Sequence, residues 1–333
     1  MPELRLNLIT EEWVIIDQDK CKKPEDFINE TEVKQRLELS SICPFCPGNE
    51  LCTPGELYRL EDENRGWKLR VVPNKFGRLS KEGEPTRWNN GLKKGVGGIG
   101  ISEVIIESPM HNHTLAIMPL ENIERVLQTS RARFIEACRD PRIEYVVIFK
   151  NCGPASGTSI THPHSQVVGI PVTPLEIRHR VSAYMRFFDE TGDCLLCRML
   201  EDELNDGRRI LLTTEHFVTF VPYAALSPFH IWIFPRRHSG SFADIRDDEV
   251  QDFARHLKVT LGKVYHGLED PDYNYIIRSG KLSQADSKFQ HWYVSIVPRV
   301  ATGSGFEMGT GIYVNPLVPE MSAAFIRRIT VPE

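Results

Sequence analysis

The residues best suited to chemistry are two short cysteine pairs and the histidines downstream of them. Cys43 and Cys46 stand in CPFC, and Cys194 and Cys197 in CLLC. A lone C-x-x-C can be a redox pair, but two of them, each trailed by histidines, favour metal binding. Zinc takes four nitrogen or sulfur ligands in a tetrahedron. The first pair has His111 and His162 available, and the second has His238 and His291. The pattern therefore predicts two Zn2+ sites per chain, each Cys₂His₂. Four protein ligands leave no open coordination position, so the predicted role is structural and not that of a Lewis acid. The other cysteines, Cys21, Cys52, Cys138 and Cys152, are scattered and point to packing or surface.

The densest cluster is His162-Pro163-His164-Ser165-Gln166. Strand residues two apart share a face, so a strand here would aim His162, His164 and Gln166 the same way. With His162 committed to metal, His164 keeps a free imidazole beside it. An imidazole nitrogen held unprotonated is a nucleophile near neutral pH. A backbone carbonyl bonded to the other ring nitrogen would fix that tautomer. Upstream, residues 151–159 read NCGPASGTS, small and polar. Such a loop can bring backbone N–H groups and hydroxyls to a phosphate. In a later segment, QHWYVSIVP, His291 matches His162 and Tyr293 matches His164. A phenol is a poor replacement for a phosphoryl-accepting imidazole, so one active and one structural half are expected.

The elements that must position these residues occur twice. Each cysteine pair is followed by a short apolar run, ISEVIIE or HIWIF, then by a proline and a histidine. Both runs read as buried strands. An amphipathic helix comes next. Its apolar residues are Ile123, Val126, Leu127, Phe134 and Ile135 in one case, and Val250, Phe253, Leu257, Leu261 and Val264 in the other. Asp247 and Asp248 suit the positive end of the second helix dipole. Asp140-Pro141 and Asp270-Pro271 are helix stops, because the residue before proline resists helix. A strand follows, EYVVIFK or YNYIIR, then a polar loop and a histidine that opens another strand. From Asp140 to His162 is 22 residues, and from Asp270 to His291 is 21. The fold class is thus α+β: two tandem halves from a diverged duplication, each an antiparallel sheet with a packed helix. Residues 1–178 form the catalytic half and 185–333 the half without the nucleophile, joined within 176–192. Residues 81–100 read as an exposed loop and match no phosphate-loop pattern.

Composition bounds the function. The chain has 333 residues, 41% hydrophobic and 26% charged, with net charge -5. That suits a soluble globular protein of about two domains. Without a basic excess, nucleic acid is not an expected partner. No apolar run approaches the ~18 residues of a membrane span, so no membrane partner is expected. The start shows no signal-peptide pattern, and eight cysteines are too sparse for a disulfide scaffold. The expected location is the reducing cytoplasm.

The H-P-H-x-Q signature resembles the galactose-1-phosphate uridylyltransferase family, a branch of the histidine-triad superfamily. CPFCPGNE, VVPNKF, SPMHNHTLA, HPHSQ, SPFHIWIFPRRH, QHW and GFEMGTGIYVNP carry the resemblance along nearly the whole chain. It implies His164 as the nucleophile that carries a nucleoside monophosphate, with Gln166 bonding the phosphoryl group. It implies Asn74, Asn151 and Ser159 near the nucleotide, Lys20 and Lys23 beside it, and Glu307 on sugar hydroxyls. Relatives usually have arginines where this chain has Lys20 and Lys23, so the charge is kept without the bidentate fork. The implied reaction is ping-pong transfer from a nucleotide sugar, UDP-glucose, to a sugar 1-phosphate, galactose 1-phosphate, in a homodimer of galactose metabolism. Two departures matter. Asn74-Lys75-Phe76 stands where many relatives have Asn-Asp-Phe, and Ser295-Ile296-Val297 stands where the best-known members have a metal-binding H-x-H. The pair Cys194 and Cys197 instead resembles the related ADP-glucose phosphorylases. The alternative is therefore phosphorolysis of ADP-glucose or of a dinucleoside polyphosphate, an adenylyl transfer. A histidine-triad hydrolase is disfavoured, because Gln166 replaces the third histidine. A silent zinc scaffold is disfavoured by an intact His164.

Overall fold

The computed structural model describes residues 1–28, 34, 37–63 and 66–332; residue 333, the end of the expected second half, lies outside the described residues. In chain order the elements are β1 (Pro2–Leu6), β2 (Trp13–Asp17), β3 (Tyr58–Leu60), β4 (Leu69–Pro73), β5 (Arg87–Asn90), β6 (Lys93–Val96), β7 (Ile101–Ile106), α1 (Leu120–Arg139), β8 (Tyr145–Cys152) and β9 (His164–Ile170). Then come α2 (Leu175–Thr191), α3 (Leu195–Asp206), β10 (Ile210–Thr213), β11 (Phe217–Phe220), β12 (Ile231–Pro235), α4 (Asp247–Gly267), β13 (Tyr273–Arg278), β14 (Tyr293–Pro298), α5 (Gly305–Thr310), β15 (Tyr313–Val314) and α6 (Pro319–Arg328).

The main sheet has ten strands in the order β10-β11-β12-β14-β13-β8-β9-β7-β4-β3, all antiparallel. From either edge inward the succession is the same, β3-β4-β7-β9-β8 or β10-β11-β12-β14-β13. The register at the join has the same symmetry. Ile148 pairs with Ile277, and Lys150 pairs with Tyr275. Exchanging each residue for its counterpart in the repeat turns one pair into the other. The fold is α+β, and the duplication read from the sequence is visible as a pseudo-two-fold axis between β8 and β13.

The two long helices form because their apolar residues recur every three or four positions. Ile123, Val126, Leu127 and Phe134 are buried on α1, and Val250, Phe253, Leu257, Leu261 and Val264 on α4. These helices pack on each other, and their residues share one core cluster with Leu69, Ile105, Ile148, Ile277 and Val294 of the sheet. Helix α1 stops at Asp140, before Pro141. Helix α4 starts with Asp247, Asp248 and Glu249, negative charge at the positive end of its dipole.

Three local features extend the sequence reading. The join within 176–192 lies in a helix, α2, in which Ile177, Val181, Tyr184 and Phe188 recur at helical spacing and Gly192 closes the end at φ 79°. Residues 81–100 contain an exposed hairpin, β5–β6, that turns at Gly91-Leu92. Strands β1 and β2 form a separate small sheet with β15. Arg5 ties this sheet to the second repeat through Glu320 at 3.0 Å and the Tyr223 carbonyl at 3.0 Å. Among the described residues no helix is long and apolar enough to cross a membrane.

Candidate metal centres and candidate active site

The sheet delivers both sets of four ligands. Cys43, Cys46, His111 and His162 converge, as do Cys194, Cys197, His238 and His291, with the ligand atoms of each set within 4.8 Å of one another. Bonds of about 2.3 Å to sulfur and 2.0–2.1 Å to nitrogen at tetrahedral angles place S and N about 3.5 Å apart. Cys46 Sγ lies 3.5 Å from Nδ1 of both His111 and His162. Cys197 Sγ lies 3.2 Å from Nδ1 of both His238 and His291. All four rings aim Nδ1 inward and give Nε2 an outer partner. His162 donates to the Ser108 carbonyl at 2.7 Å, His291 to the Pro235 carbonyl at 3.0 Å and His238 to the Ser287 carbonyl at 2.8 Å. His111 Nε2 lies 2.9 Å from Thr161 Oγ1. Such outer bonds fix the tautomer that a metal-ligating imidazole needs. Burial pushes the Cys43 thiol up to about 11 and the His162 imidazole down to about 3. A thiolate here calls for a cation, and a neutral His162 is ready to ligate one. Both sets could hold a metal ion. Cys21, Cys52, Cys138 and Cys152 lie outside them.

His162 itself precedes strand β9, which begins at His164. The expected common strand face therefore holds for His164 and Gln166 but not for His162. The difference has a use: His162 turns its ring to Cys46 while its carbonyl takes the Nδ1–H of His164 at 2.8 Å. This leaves His164 Nε2 unprotonated and, among the described residues, without a hydrogen-bond partner. Phe45, from the first cysteine loop, stands edge-on to the His164 ring at 5.4 Å. His164 is 6% exposed. Burial, and then the nearby Lys150 ammonium, hold its pKa below the usual histidine range.

Beneath the nucleophile lies a buried ion pair that the sequence reading does not name. Lys150 Nζ contacts Glu107 Oε2 at 2.6 Å and donates to the His164 carbonyl at 3.1 Å. Ser165 Oγ donates to the other Glu107 oxygen. Lys150 and Glu107 are 2% and 1% exposed. Two charges at that depth are costly unless paired and fully bonded. Here they hold the carbonyl of His164 and the side chain of Ser165. A signal was present: each charge closes an otherwise apolar strand run, ISEVIIE or EYVVIFK.

The remaining expected residues divide into two groups. Asn74 Nδ2 donates to Gln166 Oε1 at 3.3 Å, and among the described residues the Gln166 amide hydrogens have no acceptor. Asn151 is the next-to-last residue of β8, and its Oδ1 accepts from Asn274 Nδ2 at 2.8 Å, while its own amide hydrogens have no acceptor among the described residues. Ser159 is exposed on the loop just before Thr161 and His162. Gly153 (φ 84°) and Gly157 (φ 92°) shape that loop, and Ala155 N–H is taken by Asp272 at 2.6 Å. The second group sits elsewhere. Lys20 and Lys23 are exposed just after β2, and Glu307 lies on α5, next to β15 of the same small sheet. The Glu307 carboxylate accepts from the N–H groups of Ser304 and Val314, which holds its pKa below the usual range. Among the described residues, none of these three bonds to His164, Gln166, Asn74 or Asn151.

In the second repeat Tyr293 takes the place of His164. Its ring stacks on Phe234 at 4.9 Å, and its hydroxyl accepts from Arg180 at 3.2 Å. No imidazole is offered there.

Comparison with known proteins fits this geometry. Residues 1–174 match the sequence model of the galactose-1-phosphate uridyl transferase N-terminal domain, and residues 180–322 match that of its C-terminal domain. The chain is 36% identical to an ADP-glucose phosphorylase of Arabidopsis thaliana, over 99% of this chain and 93% of that one. It is 30% identical to a galactose-1-phosphate uridylyltransferase of Thermotoga maritima, over 99% of each. Its backbone superposes on a crystal structure of an Arabidopsis thaliana ADP-glucose phosphorylase with bound ADP-glucose at a TM-score of 0.84, with 34% identity and full coverage of both chains. A solved uridylyltransferase gives a TM-score of 0.76 at 26% identity, over 98% of this chain and 97% of that one. With both domain models matched along almost its whole length, and with enzymes of nucleotidyl transfer among its relatives, the chain belongs to the galactose-1-phosphate uridylyltransferase family and is an enzyme of the nucleotidyltransferase kind.

Proposed function

We propose that the chain is a zinc-containing nucleotidyltransferase that works by double displacement through His164. The observation that carries this reading is the free Nε2 of His164, held unprotonated by the bond from Nδ1 to the His162 carbonyl. Nε2 attacks the α-phosphorus of a nucleoside diphosphate sugar. The N–P bond forms as the bond to the sugar 1-phosphate breaks, and the sugar phosphate leaves with the electron pair. The Nδ1 proton stays on the ring, bonded to the same carbonyl, and balances charge on the adduct. An oxygen of the second substrate then attacks phosphorus and returns His164 to its starting state. The free amide hydrogens of Gln166 and Asn151 bond the phosphoryl oxygens, where preorganised donors stabilise developing charge. Zinc held by Cys43, Cys46, His111 and His162, and by Cys194, Cys197, His238 and His291, supplies rigidity: it anchors the residue two before the nucleophile and the matching place in the repeat. Lys20, Lys23 and Glu307 serve the His164 of a second copy, so the working unit is a homodimer. The duplicated units run over 1–178 and 185–333. The zinc thiolates suit the reducing cytoplasm.

Adenylyl transfer from ADP-glucose to phosphate is the better-supported type. Identity is 36% to the Arabidopsis ADP-glucose phosphorylase against 30% to the Thermotoga uridylyltransferase, and the backbone match is also higher on the phosphorylase side. Uridylyl transfer from UDP-glucose to galactose 1-phosphate is the second reading, favoured by a match over 99% of both chains. The test offers each nucleotide sugar with each acceptor and identifies the products. ADP and glucose 1-phosphate from ADP-glucose and phosphate are expected. Turnover confined to UDP-glucose with galactose 1-phosphate would establish the second reading. No turnover in any combination would overturn nucleotidyl transfer from these sugars.

A further inference from the structure

The second repeat holds a cavity beside the position where the first repeat holds its nucleophile. The cavity is about 700 Å³ and lies between α2 and the ends of β13 and β14. Its inner wall includes Tyr293, the counterpart of His164, and Arg278, the counterpart of Asn151, since Ile276 pairs with Ser295 as Phe149 pairs with Gln166. Where the first repeat has a neutral amide, this wall has a guanidinium, and its Nε is buried without a hydrogen-bond partner among the described residues. A buried guanidinium nitrogen without a partner is costly unless something arrives to bond it.

Arg180, on α2, adds a second guanidinium, with Nη1 donating to Tyr293 Oη at 3.2 Å. That bond uses one of its donors and leaves the others for a ligand. Of the remaining lining cations, Arg186 is paired with Glu11 and Lys281 with the Ile143 carbonyl. Arg178 stands exposed at the rim. The lining anions, Glu144, Asp189 and Glu190, are fewer than the five cations. The opposite wall is apolar, built from Ile177, Val181 and Met185 of α2, with the Tyr184 ring buried behind them. A ligand that suits this lining has an anionic end for the two guanidiniums and a flat body to lie along the apolar wall.

We propose that this cavity is a second nucleotide site, which binds a nucleoside phosphate reversibly, with its phosphate on Arg180 and Arg278 and its base along α2. No group is transferred there, because Tyr293 offers a phenol where His164 offers a free imidazole nitrogen. Binding at this site does not depend on chemistry at His164. Arginine forks favour phosphate through paired charge-assisted hydrogen bonds.

The test is equilibrium dialysis of the full-length, zinc-loaded protein with AMP, with inorganic phosphate and with adenosine. Wild-type protein is expected to bind two AMP per chain. Arg278→Gln is expected to weaken one of the two by about tenfold or more, with the rate of His164 loading unchanged. Val181→Trp, which fills the cavity without touching either arginine, is expected to abolish the same site, so a folding defect in one variant does not leave the question open. Adenosine and phosphate alone should each bind at least about tenfold more weakly than AMP. Equal AMP stoichiometry and affinity in wild type and in both variants would overturn the proposal, as would adenosine binding as tightly as AMP. Loss of one AMP site in the variants of a protein that never loads His164 would uphold the second site and defeat only the transfer reading.

Discussion

Replacing Lys150 by methionine isolates the ion pair under the nucleophile. Methionine keeps most of the apolar stem and removes the ammonium. Glu107 is then left at 1% exposure with, among the described residues, only Ser165 as a side-chain hydrogen-bond partner. Stranding one member of a buried pair costs about 3–5 kcal/mol. Loss of the 3.1 Å bond to the His164 carbonyl adds about 1 kcal/mol. Lys150→Met should therefore lose roughly 4–6 kcal/mol by these two contributions. Adding Glu107→Gln removes the stranded charge, while the amide still bonds Ser165. The double variant should recover about 2–3 kcal/mol, the usual scale of coupling within one network. Denaturant unfolding of zinc-loaded protein, followed by tryptophan fluorescence, measures all three variants. The rate of nucleotide loading should fall in Lys150→Met and partly return in the double variant. A single variant within about 1 kcal/mol of wild type, or strictly additive effects, would refute the claim that the pair clamps His164.

Zinc analysis of purified protein should give two ions per chain, with Cys43→Ser and Cys194→Ser each lowering that by one and reducing stability, since metal binding is also folding free energy. Gln166→Ala should slow both half-reactions by roughly 10²–10³ in single-turnover assays, the scale for losing a donor to transferring charge. Gln166→His should raise the share of intermediate lost to water, because a third imidazole can take a proton that an amide cannot. Burial pushes His230 down to about 3 and His256 to about 4. Each is neutral in the fold and protonates more readily when unfolded, so stability is full above the unfolded value near 6.5 and falls as pH drops below it. His256→Gln should reduce the slope of stability against pH by about 1.4 kcal/mol per unit between roughly pH 5 and 6, as read from unfolding midpoints.

The sequence carried much of this because the chain repeats itself. One C-x-x-C with two distant histidines is weak; the same arrangement twice, with a strand, helix and Asp-Pro between, constrains both copies. The α1 and α4 spans were legible for the same reason, from apolar spacing; Asp140-Pro141 closes α1 as expected, whereas α4 ends at Gly267, before Asp270-Pro271 is reached. Other features were not legible. Residues 176–192 mix Arg, Glu and Asp with apolar residues, and their helical phase is decided by what Tyr184 packs against in the second repeat. The place of Lys20, Lys23 and Glu307 depends on β2 pairing with β15, almost the full chain length away. Glu107 and Lys150 are separated by α1, and only strand pairing through β9 brings their side chains together.

The central claim is that His164 Nε2 carries the nucleotide, and direct capture of the adduct tests it. Protein mixed with ADP-glucose or UDP-glucose and no acceptor should gain the mass of one nucleoside monophosphate. The adduct should be acid-labile, map to the peptide that contains His164, discharge on addition of phosphate or galactose 1-phosphate, and be absent in His164→Ala. An adduct on another residue, or full turnover in His164→Ala, would contradict the account.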